Sequence, residues 1–270
     1  MIGAIAGDIA GSRFEWHNHK SKDFELYTDW CGMTDDSMMT IAVAAAILDC
    51  RTDADAAGIE YSKMPAAAIK RMQEIGRKYP DAGYGGHFRV WLTTDDPAPY
   101  NSWGNGSAMR VSPAGWAGRS LDEVKEISRL VTEVTHNHPE GVKGAEAVAV
   151  AIYMARTGST MAEMHDVITR DYYKLDFTLD EIRPDYEFDV SCRGSVPQAL
   201  EAFFESTDFE DCIRNAVSIG GDSDTIAAIA GSVAEAFYGV PGSIREAVYT
   251  YMGEDVRGIV DRFEATYGAK

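Results

Sequence analysis

The sequence predicts an all-α fold, for three reasons. Apolar residues recur at helical spacing over residues 38–48, 144–156, 197–205 and 225–238. Three capping-box pairs, each a serine or threonine followed three residues later by glutamate, begin at Ser120, Thr160 and Thr178. The sustained alternation of β-branched residues that is typical of strands is absent from the sequence. We therefore expect a single helical domain that spans residues 1–270.

The predicted helices follow one another along the chain. Residues 38–48 (MMTIAVAAAIL) are apolar on almost every side, so we expect this helix to be buried. A less regular helix is expected over residues 107–118, because Pro113 lies within them. The three capped helices and the segments 144–156, 197–205 and 225–238 come next, and a last helix is expected over about 254–267.

The chain is strongly acidic. Its 270 residues carry a formal net charge of -18, and hydrophobic residues make up 45% of them, which is enough for a sizeable core. A negative field of this size repels phosphate backbones, so we expect no nucleic-acid partner. An anionic small-molecule substrate would meet the same repulsion unless bound divalent cations reverse the sign locally.

Signals for zinc binding, secretion and membrane insertion are absent from the sequence. The four cysteines (Cys31, Cys50, Cys192 and Cys212) form no CxxC pair, so we expect buried or incidental thiols in a reducing compartment. The N-terminus has no basic segment, and Asp8 interrupts its apolar run. No stretch reaches about 18 consecutive apolar residues. We expect a cytoplasmic protein without a membrane span, and a monomer is favoured.

Two acidic motifs stand directly before helices that are rich in small residues. They are TDDS at residues 34–37 and DSDT at residues 222–225. Each could be an ordinary helix N-cap, since aspartate and threonine are favoured there and negative charge meets the positive end of the helix dipole. A cap needs one side chain, however, whereas each motif has two carboxylates and a hydroxyl. The small residues would let the two helices pack closely and bring their N-termini together.

Four converging carboxylates without a counter-charge would repel one another and take up protons. Oxygen-only clusters of this kind bind hard cations, so the sequence favours two divalent cations, with Mg²⁺ preferred over Mn²⁺ or Ca²⁺. Gly220 and Gly221, before the second motif, permit a close approach between backbone and ligand. Gly7 and Gly11 offer a smooth helix face, and Glu15 follows as either a mobile carboxylate or a surface acid.

Two glycine-rich segments are candidates for binding phosphate. DAGYGG at residues 81–86 and NSWGNGS at residues 101–107 would expose backbone N–H groups, but each could equally be a plain loop. Tyr84, Tyr100 and Trp103 lie in or beside these loops and could stack on a base or pack in the core. His136 could donate a hydrogen bond to a phosphate or ribose, or be a satisfied loop histidine.

Taken together, the motifs resemble those of the ADP-ribosylglycohydrolase family, which includes the dinitrogenase-reductase-activating glycohydrolase. The matching segments occur in the family's order between residue 3 and about residue 239: GDIAGSRFE, TDDS, GYGG, SWGNGSAMR, Thr135-His136, SVPQAL and SIGGDSDTIAAIAGSVAEAFYG. The combination is specific, although no single segment is.

The resemblance implies an all-α fold with a two-metal centre in a cleft, and hydrolysis of ADP-ribosyl bonds. By matching position, it implies these metal ligands: Thr34, Asp35, Asp36, Asp222, Asp224 and Thr225. Together with the aromatic candidates, it gives this set of ADP-ribose contacts: Tyr84, Gly85, Gly86, Tyr100, Ser102, Trp103, Gly104, Asn105, Gly106 and His136. Glu15 matches a mobile glutamate that senses substrate, although its short spacing from Thr34 argues against a lid. Residues 165–195 match nothing in the family and are candidates for substrate selection.

We expect cleavage at the anomeric carbon of the ribose through an oxocarbenium-like state. Two cations would hold the ribose diol and lower the pKa of a bound water, while one group acts as general base and another protonates the leaving group. Asp35 and Glu15 are the candidates for these catalytic roles, and the sequence does not assign them individually. One alternative is a catalytically silent relative that binds ADP-ribose or a nucleotide. Another is a nucleotide phosphohydrolase, but the HD or histidine-rich metal motif that would support it is absent from the sequence.

Overall fold

The described part of the chain is helical, as predicted. A computed structural model describes residues 1–52 and 58–268. Among these residues there are two isolated β-bridges but no β-strand. The helices are α1 (Ile2–Ser12), α2 (Asp35–Asp49), α3 (Met64–Lys78), α4 (Gly86–Thr93), α5 (Gly106–Met109), α6 (Ser112–Ala117), α7 (Leu121–Thr132), α8 (Pro139–Arg156), α9 (Met161–Asp171), α10 (Leu179–Ile182), α11 (Cys192–Phe204), α12 (Phe209–Ser218), α13 (Ser223–Tyr238), α14 (Gly242–Thr250) and α15 (Glu254–Tyr267).

Side-chain caps fix where several helices begin. Thr160 and Thr178 form the reciprocal capping boxes that the sequence predicts at the starts of α9 and α10. Ser120 caps α7 by accepting from the N–H of Glu123, but the Glu123 carboxylate accepts from the N–H of Arg119 instead of Ser120. Two of the three predicted boxes are therefore confirmed, and the third is a simple N-cap.

Two helices differ in extent from the sequence prediction. Residues 107–118 are divided between α5 and α6, because Pro113 lies in the first turn of a new helix. Helix α11 begins at Cys192 and contains Pro197 in its interior, whereas the sequence predicts a start at the proline. The Ser191 side chain accepts from the N–H of Gly194 and caps this earlier start. The N-cap at Ser191 therefore sets the start of α11, although proline is usually found in the first turn of a helix.

Helices α1 and α13 run antiparallel in direct backbone contact. At three positions a β-carbon added to a glycine of α1 would overlap the backbone of α13: Gly3 against Gly231, Gly7 against Ala227, and Gly11 against Asp224. The smooth face predicted from two of these glycines is thus confirmed. The predicted close packing of α2 on α13 is wrong, because α1 occupies this face of α13 and α2 contacts α13 much less.

Most of the buried apolar side chains of the described residues form one connected cluster, with α13 at its centre. Every residue of α13 from Ser223 to Glu235 is buried, and α1, α8, α11 and α12 pack around it. Helix α2 is buried from Asp36 to Ile47, as its apolar sequence predicts. The four cysteines are buried free thiols, in line with the sequence prediction. Among the described residues no helix is both long and apolar enough to span a bilayer.

The glycine contact between α1 and α13 gives a test of the packing. We expect Gly7→Ala to lower the free energy of unfolding by about 3 kcal/mol, because the new methyl group must push apart two backbones rather than a flexible side chain. Gly258→Ala is the matched control, since a β-carbon at Gly258 in α15 would meet no atom within 4 Å. It should be neutral or stabilise by up to about 1 kcal/mol. Urea denaturation measures both, and equal effects would contradict the backbone contact.

Candidate active site

A cavity of about 390 Å³ lies where the N-termini of α2 and α13 meet the C-terminal end of α1. Further walls come from the glycine-rich segments before α4 and α5, from His136, and from the loop before α11. The volume is within the range of small-molecule sites in proteins. The positive ends of two helix dipoles therefore point at the same cavity.

Five carboxylates form one cluster at this cavity. Carboxylate oxygens of Asp8, Asp36 and Asp224 lie within 4.8 Å of one another, and those of Glu15, Asp222 and Asp224 do so as well. Burial, followed by repulsion from neighbouring carboxylates, raises the pKa of Asp36 and Asp224 well above the usual range. The two acidic motifs are thus brought together as the sequence predicts, although α1 rather than close α2–α13 packing holds them there.

Asp8 and Asp36 differ in how their oxygens are satisfied. Asp8 accepts hydrogen bonds from the N–H and hydroxyl of Thr34 at 2.9 and 2.6 Å, from the N–H of Ser37 at 3.1 Å, and from the Ser37 hydroxyl. Asp36 accepts from the Thr225 hydroxyl at 3.1 Å through Oδ2, but its buried Oδ1 has no partner. Asp8 therefore anchors the start of α2, while Asp36 presents a free oxygen to a ligand.

Several carboxyl groups at the cavity have pKa values raised to the neighbourhood of neutral pH. Burial, with Asp222 as the next cause, raises the pKa of Glu15 to about 7. Burial and the charges of Asp8 and Asp222 raise the pKa of Asp35 to about 8. Burial raises the pKa of Asp8 to about 6 despite its hydrogen bonds. A cluster of carboxylate oxygens without a positively charged partner suits hard divalent cations, which would bind in place of the protons.

The predicted metal ligands take two different positions. Five of the six line the cavity: Asp35, Asp36, Asp222, Asp224 and Thr225. Thr34 is the N-cap of α2, accepts from the N–H of Asp36, and donates its hydroxyl to Asp8. The ordinary-cap interpretation thus describes Thr34, whereas Asp222, at the N-cap of α13, makes no side-chain cap hydrogen bond. Asp222 instead accepts from Asn105 at 2.6 Å.

Eight of the ten predicted substrate contacts also line the cavity: Gly85, Gly86, Tyr100, Ser102, Gly104, Asn105, Gly106 and His136. Tyr84 is buried outside it, with its ring 5.7 Å from that of Phe88. Trp103 is 56% exposed and lines an adjoining pocket that shares Tyr100 with the cavity. The Asn105 amide is already committed, because it donates to Asp222 and Ser195.

Several cavity residues were not identified from the sequence. Trp16 and Phe188 stack at 5.1 Å between ring centroids, and both are exposed at the cavity rim. Phe188 lies within residues 165–195, the segment in which the sequence offers no individual candidate. Arg110 is fully buried in the cavity wall. Asp8 is recognisable from the sequence in one respect, because it is the one charged residue in an otherwise apolar helix.

Comparisons with known proteins agree with this geometry. The model of the ADP-ribosylglycohydrolase family matches residues 1–270. ADP-ribosylhydrolase ARH3 of Homo sapiens is 25% identical over an alignment that covers 95% of this chain and 90% of the human protein. ADP-ribosylarginine hydrolase Tri1 of Pseudomonas putida (strain GB-1) is 27% identical, with 90% of this chain and 70% of the relative covered.

The fold is also known from a solved structure. An ADP-ribosylglycohydrolase-related protein complex superimposes with a TM-score of 0.64 at 22% sequence identity. The match covers 93% of this chain and 96% of that chain, so the helical architecture is shared almost throughout. The chain belongs to the ADP-ribosylglycohydrolase family and is an enzyme of that family.

Proposed function

We propose that the protein is a divalent-cation-dependent hydrolase that cleaves an ADP-ribosyl bond at the ribose anomeric carbon and releases ADP-ribose. One observation carries this proposal. A cluster of buried carboxylates lines a cavity of substrate size, and Oδ1 of Asp36 within it has no hydrogen-bond partner. A buried carboxylate oxygen without a partner is costly unless a ligand satisfies it. The names of the two relatives supply the ADP-ribosyl substrate class.

The residues that would hold the cations all line the cavity: Asp35, Asp36, Asp222, Asp224 and Thr225. When bound, two divalent cations supply the positive charge that polarises ribose hydroxyls and water. Asn105 fixes Asp222 through its 2.6 Å hydrogen bond, and Asp8 fixes the start of α2. These two side chains therefore orient the ligand set from behind, as supporting hydrogen bonds do in other metal sites.

Glu15 is the residue to which we assign proton transfer. Its carboxyl group lines the cavity beside Asp222 and Asp224, and in the absence of bound cations burial and the charge of Asp222 raise its pKa to about 7. A carboxyl group in this position can give up or take a proton at the reacting centre. The surrounding carboxylates would also stabilise positive charge that develops on the ribose ring as the bond breaks. Asp35 lies among the cation ligands, which leaves Glu15 for the exchange of protons with the leaving group or the attacking water.

Glu15→Gln tests this assignment. We expect kcat to fall by about 100-fold, which is the usual contribution of a general acid or base. Stabilisation of the folded protein by Mg²⁺, measured as a shift in Tm, should remain, since Glu15 is not among the proposed cation ligands. Loss of the Mg²⁺ shift together with activity would instead make Glu15 a ligand.

The proposed activity is tested with three ADP-ribosyl compounds: ADP-ribosyl-arginine, an ADP-ribosyl-serine peptide and O-acetyl-ADP-ribose. Each is incubated with the protein in Mg²⁺ or in EDTA, and free ADP-ribose is measured by chromatography. We expect release from at least one compound in Mg²⁺ and none in EDTA. Release that is equal in EDTA would contradict the cation requirement. Tight binding of ADP-ribose without turnover of any compound would favour the catalytically silent relative instead.

A further inference from the structure

His136 presents one ring nitrogen to the cavity and is held by the other. Its Nδ1 lies 2.7 Å from the hydroxyl oxygen of Thr135. Its Nε2 points at the glycine-rich segment, where β-carbons added to Gly104 and Gly106 would lie 3.6 and 3.4 Å away. Hydrogen bonds between Nε2 and other described residues are absent from the structure. This nitrogen is therefore available to a ligand in the cavity, and the glycines leave space for it.

Arg110 stands behind the same threonine. It is 1% exposed, and its Nη2 donates to the Thr135 hydroxyl oxygen at 2.6 Å. The guanidinium lies 5.6 Å from the ring centroid of Phe88, while Nε and Nη1 have no hydrogen-bond partner. A buried charge with so few partners is costly and is not explained by stability. Its principal contact is the hydroxyl that touches His136.

The hydrogen bonds of the Thr135 hydroxyl determine which ring nitrogen of His136 carries the proton. The oxygen has one hydrogen to donate and two lone pairs that accept. Arg110 donates to one lone pair, and Nδ1 of His136 is the acceptor within reach of the hydroxyl hydrogen. If Nδ1 carried the proton instead, a buried hydroxyl hydrogen would be left without an acceptor, at a cost of about 1–3 kcal/mol. The ring proton therefore resides on Nε2.

We propose that Arg110 and Thr135 are positioning residues that fix His136 as the Nε2–H tautomer, so that it donates a hydrogen bond to an oxygen of the bound ADP-ribosyl substrate. This inference rests on the function proposed above. Burial and the nearby charge of Arg110 also lower the pKa of His136 well below its usual range, which keeps the ring neutral. A neutral imidazole has one donor, and the threonine decides which nitrogen it is.

Nitrogen-15 NMR of the wild-type protein tests the tautomer directly. Two-bond correlations distinguish a protonated from an unprotonated ring nitrogen, and the signal that disappears in His136→Gln identifies the residue. We expect a neutral ring with the proton on Nε2. A proton on Nδ1, or on both nitrogens at neutral pH, would overturn the proposal, and this result does not depend on any variant of Thr135 being folded.

Thr135→Val and Thr135→Ser then test the consequence for binding. Valine removes the hydroxyl at nearly constant shape, so we expect the affinity for ADP-ribose, measured by calorimetry with saturating Mg²⁺, to fall by about 10-fold. The KM should rise by a similar factor while kcat changes less, and serine should restore both affinity and tautomer. A Thr135→Val protein with unchanged tautomer and affinity would overturn the proposal, as would a folded serine variant that rescues neither.

The same measurements separate this inference from the proposed function. Absence of turnover, with the Nε2–H tautomer intact and ADP-ribose affinity dependent on Thr135, would reject the hydrolase alone. Turnover with unchanged affinity in Thr135→Val would reject the positioning role alone. His165→Gln is the matched control, because His165 packs against Phe204 and lies outside the cavity. It should leave ADP-ribose affinity unchanged.

Discussion

Replacing Asp36 with asparagine is expected to lower kcat/KM by about a thousandfold or more, equivalent to roughly 4 kcal/mol of transition-state stabilisation. Asp36 is buried, its Oδ1 is unpartnered, and its Oδ2 accepts from Thr225 in α13. Asparagine keeps the shape but removes the negative charge that holds a cation. In EDTA the variant should be more stable than the wild type, since one source of repulsion in the cluster is gone.

Asp166→Asn is the matched control for this experiment. Asp166 is an exposed aspartate in α9, outside the cavity, so the same chemical change should leave activity and Mg²⁺ stabilisation unchanged. Steady-state kinetics with saturating Mg²⁺ and thermal unfolding with and without Mg²⁺ are the measurements. If Asp36→Asn retains more than about a tenth of wild-type activity, the residue is not a cation ligand.

In EDTA, the Tm of the wild-type protein is expected to fall by about 5 °C or more between about pH 5 and about pH 8.5. Asp8, Glu15 and Asp35 have pKa values raised to about 6, 7 and 8, so the folded protein holds protons that the unfolded chain has already released. Stability falls with rising pH wherever the folded state binds more protons. The loss should therefore extend across this range, and Asp36 and Asp224, whose pKa values burial raises well above the usual range, add to it.

Saturating Mg²⁺ is expected to reverse this trend. Cations bind the deprotonated carboxylates, so the increase in Tm on adding Mg²⁺ should grow as the pH rises. Glu201, outside the cluster, also has a pKa raised to about 7 by burial and will contribute to the slope in EDTA. Its contribution does not respond to Mg²⁺, which makes the difference between the two curves the measure of the site. A pH-independent difference would contradict cation binding by these carboxylates.

The parts of the fold that the sequence predicted are those with a local cause. Helical periodicity, side-chain caps and two acidic motifs depend on residues within a few positions of one another. The contact between α1 and α13 was missed because a glycine in α1 has no sequence mark that names its partner 220 residues away (Gly7 and Ala227). For the same reason the sequence around Asp8 shows only a break in an apolar run, whereas in the structure Asp8 anchors the start of α2.

The substrate side of the cavity was predicted less completely than the acidic side. Backbone geometry restricts where glycines are needed, and charge repulsion restricts where aspartates can cluster. Their positions in the sequence therefore indicate a binding site. Aromatic residues are common both in cores and at the rims of cavities, so the sequence does not distinguish the two locations. Tyr84 is in fact buried outside the cavity, and Trp103 lies beside it. Arg110 is the last residue of the matching segment SWGNGSAMR, but only its burial and its contact with Thr135 show its importance. The roles of the individual contacts stay predictions.

The glycine contact between α1 and α13 also determines how far apart the acidic side chains of the two helices lie. One helix carries Asp8 and leads to Glu15, and the other begins with Asp222 and Asp224. Because the two backbones touch at Gly3, Gly7 and Gly11, no side chain separates them at these three positions. The spacing of the acidic oxygens is thus inherited from main-chain geometry. A change in the preferred ion size would therefore require a redesign of the contact between α1 and α13. Exchanging the ligands alone would leave the distance between the two helices unaltered.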